Sequence, residues 1–219
     1  MHSGPRPDRF EATMKLIDRI HEKQVFVRRT RVLAARIATE LPPDVEILDV
    51  GCGDGSLAAQ ILRLRPDVRI RGIDTLVRAA PHVPVEPFDG RHIPYPDDSF
   101  DLVLFVDVLH HAEDPMALLH EAERVGRRWI VIKDHLQQGW LAFSTLWLMD
   151  WVGNARHGVA LPFLYWTPAE WDRAFRELHL TTETRAEQLG IYPWPFSAVF
   201  DRSLHFLVRL ALPSPPDGS

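Results

Sequence analysis

The residues best suited to chemistry begin in "ILDVGCGDGSLAAQIL", Ile47 to Leu62, where Gly51, Gly53 and Gly55 alternate between an apolar run and an amphipathic one. Glycines at that spacing let a ligand or another segment approach the backbone where side chains would block it. A dinucleotide fingerprint starting at Gly51 requires a third glycine at position 56, which is Ser56, and no Lys-Ser or Lys-Thr follows to build a phosphate-cradling loop. Asp49 precedes the turn and Cys52, the chain's single cysteine, lies inside it. With no second cysteine or suitably spaced histidine, Cys52 reads as a small filler of a crowded turn, although a following helix N-terminus could lower its pKa. Two further sets invite attention. Asp134 and His135 close an apolar run, and a histidine with a carboxylate beside it suits proton transfer near neutral pH. His110 and His111 are adjacent, so their side chains are expected to point apart, and no metal site is expected there.

The elements that must position these residues alternate. Phe10, Met14, Ile17 and Ile20 recur at helical spacing, and Val32, Leu33, Ala35, Ile37 and Leu41 predict a second helix, stopped by Pro42 and Pro43. "VEILDV", "VRIRGID", "VPVEPF", "FDLVLFVDV" and "RWIVIK" read as strands; "SLAAQILRLR" and the segment that Asp114 caps and Pro115 starts read as helices. "FDLVLFVDV" is continuously apolar, as expected of a strand buried on both faces of a parallel sheet. Thr167 and Pro168 open another helix, and "LTTETRAEQLGIY" and "LHFLVRLAL" supply sixth and seventh strands. The expected fold is α/β, a doubly wound, seven-stranded, mostly parallel sheet behind N-terminal helices, with ligands bound at the carboxyl ends of its strands. We expect one domain over 10–212, with tails at 1–9 and 213–219 that are poor in residues to bury.

Composition narrows the partners. The 219 residues carry a formal net charge of −5, which gives no global attraction to nucleic acid or to anionic membranes. The most apolar segment, Trp140 to Met149, is half of the roughly 20 residues a bilayer span needs. A lone cysteine and the lack of an apolar leader in "MHSGPRPDRF" lead us to expect a reducing cytoplasm.

Three ordered blocks then carry a family likeness: "ILDVGCGDGSLA", "IRGID" and "FDGRHIPYPDDSFDLVLFVDVLHHAEDPMALLHEAERV". Together they resemble the class I S-adenosylmethionine-dependent methyltransferases, in particular the type 11 group. The likeness spans less than half of the chain. It departs where the family carries a Lys-Pro-Gly-Gly type turn before the fifth strand, since "RVGRRWIVIK" has only Gly126.

The resemblance implies an S-adenosyl-L-methionine site. Gly51, Cys52 and Gly53 would face the methionine portion, with Asp49 attracting its ammonium. Asp74 and Thr75 would lie at the ribose, Asp89 and Gly90 at the adenine, and Val106, Asp107 and His111 near the adenosine and the methyl group. The implied reaction is methyl transfer to a small apolar or aromatic acceptor, with O-methylation ahead of N- or C-methylation and His135, with Asp134, as base or orienter. The alternatives are a catalytically silent cofactor-binding partner subunit and another reaction of the same cofactor.

Five of the seven tryptophans fall between 140 and 171. We read about 136–167 as an inserted aromatic lid, with Trp140, Asn154, His157 and Tyr165 as candidate acceptor-binding residues. The same aromatics could instead form the lid's own core, a homodimer contact or a membrane-surface face.

Overall fold

The computed structural model describes residues 27–139, 142–147, 164–192, 194, 197 and 204–213. The helix expected over Phe10–Ile20, both tails and most of the tryptophan-rich insertion, including Trp140, Asn154 and His157, lie outside the described residues.

Seven strands form one sheet in the order β3-β2-β1-β4-β5-β7-β6. They are β1 (Glu46–Val50), β2 (Arg69–Asp74), β3 (Val85–Pro87), β4 (Phe100–Val106), β5 (Gly126–His135), β6 (Thr181–Ala186) and β7 (His205–Ala211). The first five run parallel, while β7 is antiparallel to both β5 and β6. Reversal of β7 brings its first residue, His205, to the same sheet edge as the last residue of β5.

Both faces of the sheet are covered. Leu102, Leu104, Val131 and Leu207 pack against α1 (residues 27–40) and α2 (Ser56–Leu64), through Leu33, Ala34, Ile37, Ala58 and Ile61. The opposite face, with Val103, Phe105, Ile130, Ile132, Phe206 and Val208, packs on α3 (Pro115–Val125) and α5 (Pro168–Glu177), through Leu118, Leu119, Ala122, Trp171 and Phe175. This two-sided cover explains the unbroken apolar reading of β4, whose central Leu102–Phe105 are fully buried. A short helix over 142–147, α4, follows β5.

Helix starts obey the sequence signals. Asp114 accepts the Ala117 N–H at 3.0 Å ahead of Pro115, and Thr167 and Glu170 exchange hydrogen bonds as a capping box ahead of Pro168. At the point of departure from the family pattern, no turn exists at all. α3 ends at Val125 and β5 begins at Gly126, where a Cβ would lie 2.8 Å from the Ala122 carbonyl. Only glycine allows helix and strand to join so tightly there. Among the described residues, no helix is long and apolar enough to cross a membrane.

Candidate active site at the carboxyl edge of the sheet

The three alternating glycines turn out to do different work. All are left-handed, with φ of 70°, 62° and 72° at Gly51, Gly53 and Gly55. A Cβ on Gly51 would stand 2.6 Å from Val108 Cγ2, and one on Gly55 would stand 2.6 Å from Val83 Cγ2, so these two are needed for internal packing. Around Gly53 a Cβ would meet nothing within 4 Å. That is the open approach a ligand would use, and Gly53 lines a pocket of about 240 Å³ with Gly51, Cys52, Val106 and Asp107, roofed by Arg29, Thr30 and Leu33 of α1.

Carboxylates surround this loop. Asp49 is 2% exposed, and burial first, then the nearby Asp74, push its pKa up to about 7. A buried carboxylate with so raised a pKa is poised for a cation. Asp74, at the end of β2, accepts the Gly53 N–H at 2.7 Å and the Leu76 N–H at 2.8 Å. Thr75 follows it, and Gly90 at the end of the β3 connection comes so near that a Cβ there would lie 3.3 Å from Thr75 Cγ2. Asp89 uses Oδ1 to accept the Arg91 and His92 N–H groups, both at 2.7 Å. These bonds hold its exposed carboxyl below the usual range.

The cysteine in the loop is engaged in packing. Its Sγ fills the space above Gly72, where no side chain could be accommodated. Burial, then Asp49 and Asp74, push the thiol well above its ordinary pKa. Burial, with the two carboxylates, outweighs the lowering that a helix N-terminus would bring.

The next cluster stands where β4, β5 and β7 end. Asp107 leaves β4 with φ 57°, left-handed and unusual for a residue with a side chain. Its N–H donates to the Lys133 carbonyl at 2.8 Å. Its Oδ2 accepts from Arg29 at 2.5 Å, its Oδ1 pairs with Lys133, and His135 Nε2 lies 3.7 Å away. Burial opposes ionisation of Asp107, but Lys133 and Arg29 outweigh it and hold the group well below the usual carboxylate range. Lys133 is fully buried, and its pKa falls because burial outweighs the attraction of Asp107.

Asp134 and His135 do not form the expected pair. Neighbours on a strand face opposite sides of a sheet, so His135 joins Lys133 while Asp134 faces the 3₁₀ turn Leu109–His111. Asp134 Oδ1 sits 2.6 Å from His110 Nδ1 and also accepts the His135 backbone N–H at 2.7 Å, while Oδ2 accepts the Leu109 N–H at 3.0 Å. It orients His110, not the imidazole of His135. His135 itself is 3% exposed, and burial, His110, Lys133 and His205 hold its pKa well below the ordinary histidine value.

The adjacent histidines likewise do not point apart. The turn leaves the His110 and His111 rings 3.8 Å between centroids, and burial with His110 lowers His111 to about 4. No group of three or more candidate metal ligands occurs among the described residues. Tyr165 is buried in the cluster, its ring stacked 5.9 Å from that of His110, and Phe143 of α4 stands edge-on to it.

Sequence reasoning weighed His110 only as half of an adjacent histidine pair and passed over Arg29, Lys133 and His205. Lys133 and His205 did leave a signal: each is a charged or polar residue interrupting an apolar strand that is otherwise buried.

The fold is that of a Rossmann-like α/β protein, and the candidate ligand site stands at the carboxyl ends of β1, β2 and β4. Residues 48–128, under half of the chain, match a family described as "Methyltransferase domain", and this match, the relatives and the shared fold support a class I S-adenosylmethionine-dependent methyltransferase. Among curated relatives it is similar to the 27-O-demethylrifamycin SV methyltransferase of Amycolatopsis mediterranei, 31% identical over 121 residues, 48% of this chain and 44% of that protein. It is also similar to the tRNA (carboxymethyluridine(34)-5-O)-methyltransferase of Schizosaccharomyces pombe, 30% identical over 117 residues, 52% of this chain and 46% of that one. The chain thus spans under half the length of either relative. A solved structure with the same fold is the methyltransferase bound to the Trm112 activator of Haloferax volcanii, with TM-score 0.65, 16% identity, and 91% of this chain and 95% of that one covered.

Proposed function

We propose that this protein transfers a methyl group from S-adenosylmethionine to an oxygen of a small, ring-bearing acceptor, with the His110–Asp134 pair taking the acceptor's proton. The family's cofactor, S-adenosylmethionine, supplies a methyl group already activated on a sulfonium. What remains for the chain is to hold donor and acceptor in line and to move one proton.

The residues present suit that donor. Open space at Gly53 admits its methionine portion, and the ammonium would meet Asp49, whose buried carboxyl is readily ionised by a neighbouring cation. Asp74 keeps lone pairs for ribose hydroxyls beyond the two N–H groups it accepts. Thr75 and Gly90 stand together at the adenine end. Asp89 spends Oδ1 on its own turn and its Oδ2 lies 3.3 Å from His92 Nδ1, so a ligand would have to compete with His92 for Oδ2.

The single observation carrying the chemistry is the 2.6 Å contact between Asp134 and His110 Nδ1. A carboxylate there keeps the proton on Nδ1, so Nε2 is the basic nitrogen, and it stabilises the imidazolium formed when that nitrogen takes a proton. The ring cluster of His110, Tyr165 and Phe143 supports a flat acceptor, and the relative named for 27-O-demethylrifamycin SV favours oxygen as the methylated atom. His135, whose pKa is lowered by burial and then by His110 and Lys133, is left out of the proton transfer.

The test is methyl transfer from S-adenosylmethionine to a panel of phenols and catechols, followed by mass spectrometry. Asp134→Asn should lower turnover by about a hundredfold while S-adenosylhomocysteine affinity stays within about twofold. Undiminished turnover in that variant would remove the pair from the mechanism.

A further inference from the structure

The connection from β3 to β4, residues 88–99, contains no helix or strand, so no backbone ladder fixes its course. It opens with Asp89 and Gly90, the residues read above at the adenine. Two side chains of α3, Glu121 and Arg124, hold it in place. The Arg124 guanidinium carries five N–H donors and makes five hydrogen bonds. Nε and Nη2 donate to the two oxygens of Glu121 at 2.8 and 2.7 Å, Nη2 also to the Ile93 carbonyl at 2.9 Å, and Nη1 to the Tyr95 carbonyl at 2.8 Å and to Asp97 at 3.0 Å. The Arg124 carbonyl accepts the Asp98 N–H at 3.0 Å.

Ile93 is the point from which the Asp89–Gly90 turn is hung. Its carbonyl goes to Arg124, its N–H donates to Glu121 Oε2 at 2.8 Å, and its side chain is buried in the core. The two preceding N–H groups, of Arg91 and His92, donate to Asp89 Oδ1. Three successive amides thus end on carboxylates, two on Asp89 and the third on Glu121, so the direction of the Asp89 carboxylate follows from where Ile93 is fixed. A second link, the pair of Arg91 with Glu113 just ahead of α3, joins two exposed side chains and contributes little. A guanidinium bridging two backbone carbonyls and a carboxylate is not replaced by an ammonium, whose three donors sit on a flexible stem.

We propose that Glu121 and Arg124 are positioning residues for cofactor recognition: by fixing Ile93 they set the Asp89–Gly90 turn at the adenine edge, and with it the preference for a 6-aminopurine. They act through the turn and need no contact with the cofactor. The proposal rests on the reading of Asp89 and Gly90 as the adenine end of an S-adenosylmethionine site.

The experiment titrates the full chain with S-adenosylhomocysteine and with S-inosylhomocysteine, in which an oxygen replaces the adenine amino group. Wild type should prefer S-adenosylhomocysteine by at least about tenfold. Asp89→Ala removes the reading group and Arg124→Ala removes its support, and each should cut that preference to within about threefold, chiefly by weakening S-adenosylhomocysteine. Arg124→Lys keeps the charge without the fork and should fall between Arg124→Ala and wild type. A residue that only stabilises the fold would leave the preference unchanged, weakening both ligands alike or neither. That result for Arg124→Ala, with the preference lost in Asp89→Ala, would overturn the proposal alone. An Asp89→Ala protein that keeps the preference, or a wild type without one, would overturn the reading of the adenine end and the proposal with it. Wild type that binds neither ligand would sink the methyltransferase reading as a whole. If Arg124→Ala does not fold, Arg124→Lys decides by the same comparison.

Discussion

Asp49→Asn separates the needs of the ligand-free fold from those of the site. The folded-state pKa of Asp49 is raised from 3.8 to about 7, so the native protein binds this proton more tightly than the unfolded chain does. Between those values the unfolded state has released the proton and the native state has kept it. Stability contributed by this group therefore falls as pH rises from about 4 to about 7 and is level above that. The interval corresponds to about 4 kcal/mol at about 1.4 kcal/mol per pH unit, and relaxation around a buried charge reduces the expected effect to about 2–4 kcal/mol. The amide cannot ionise, so urea denaturation of the ligand-free proteins should find Asp49→Asn more stable than wild type by that amount at pH 8, and nearly equal at pH 4.5. The comparison must be a difference between the two proteins, because burial also lowers the pKa values of His111, His135 and His205. In return, S-adenosylhomocysteine should bind the variant at least about tenfold more weakly at pH 8, where the carboxylate would face its ammonium. A variant no more stable than wild type at pH 8 would refute the placement of an uncompensated carboxyl at Asp49.

Three further outcomes follow from the same loop. Gly51→Ala and Gly53→Ala both impose left-handed backbone on alanine, at about 1 kcal/mol; Gly51→Ala adds an overlap with Val108 and should lose about 1–3 kcal/mol more in urea titrations. Gly53→Ala should lose only that backbone cost of about 1 kcal/mol, with its larger loss showing in S-adenosylhomocysteine affinity. The Cys52 thiol should alkylate with iodoacetamide at least about tenfold more slowly in native protein at pH 8 than in urea, because its pKa is raised by burial and two carboxylates.

The glycine loop was legible because its information is local: an apolar strand, alternating glycines and an amphipathic helix lie within sixteen consecutive residues, and Ser56 alone excluded the dinucleotide pattern. Helix caps at Asp114 and Thr167 were legible for the same reason. The acid–base cluster was not, because adjacency in sequence is the wrong coordinate on a strand. Asp134 and His135 are neighbours on the chain and face opposite sides of the sheet, so Asp134 reaches His110, 24 residues away. Arg29 meets Asp107 across 78 residues and Lys133 meets His205 across 72, pairings that exist only once α1 covers the sheet and β7 runs backwards. The isolated lysine in "RWIVIK" was the available warning, since an unpaired charge cannot remain buried and must have a partner somewhere. The reading of 136–167 as a lid rests on residues of which only 136–139, 142–147 and 164–167 are described.

We propose that the loop around Gly53, closed by Asp49 and Asp74, holds S-adenosylmethionine. Isothermal titration of the full chain with S-adenosylhomocysteine tests it most directly. We predict one site with a dissociation constant below about 100 μM, weakened at least about tenfold by Asp74→Ala, and no comparable heat with NAD. Folded protein that gives no binding heat with S-adenosylhomocysteine up to about 1 mM would contradict the claim.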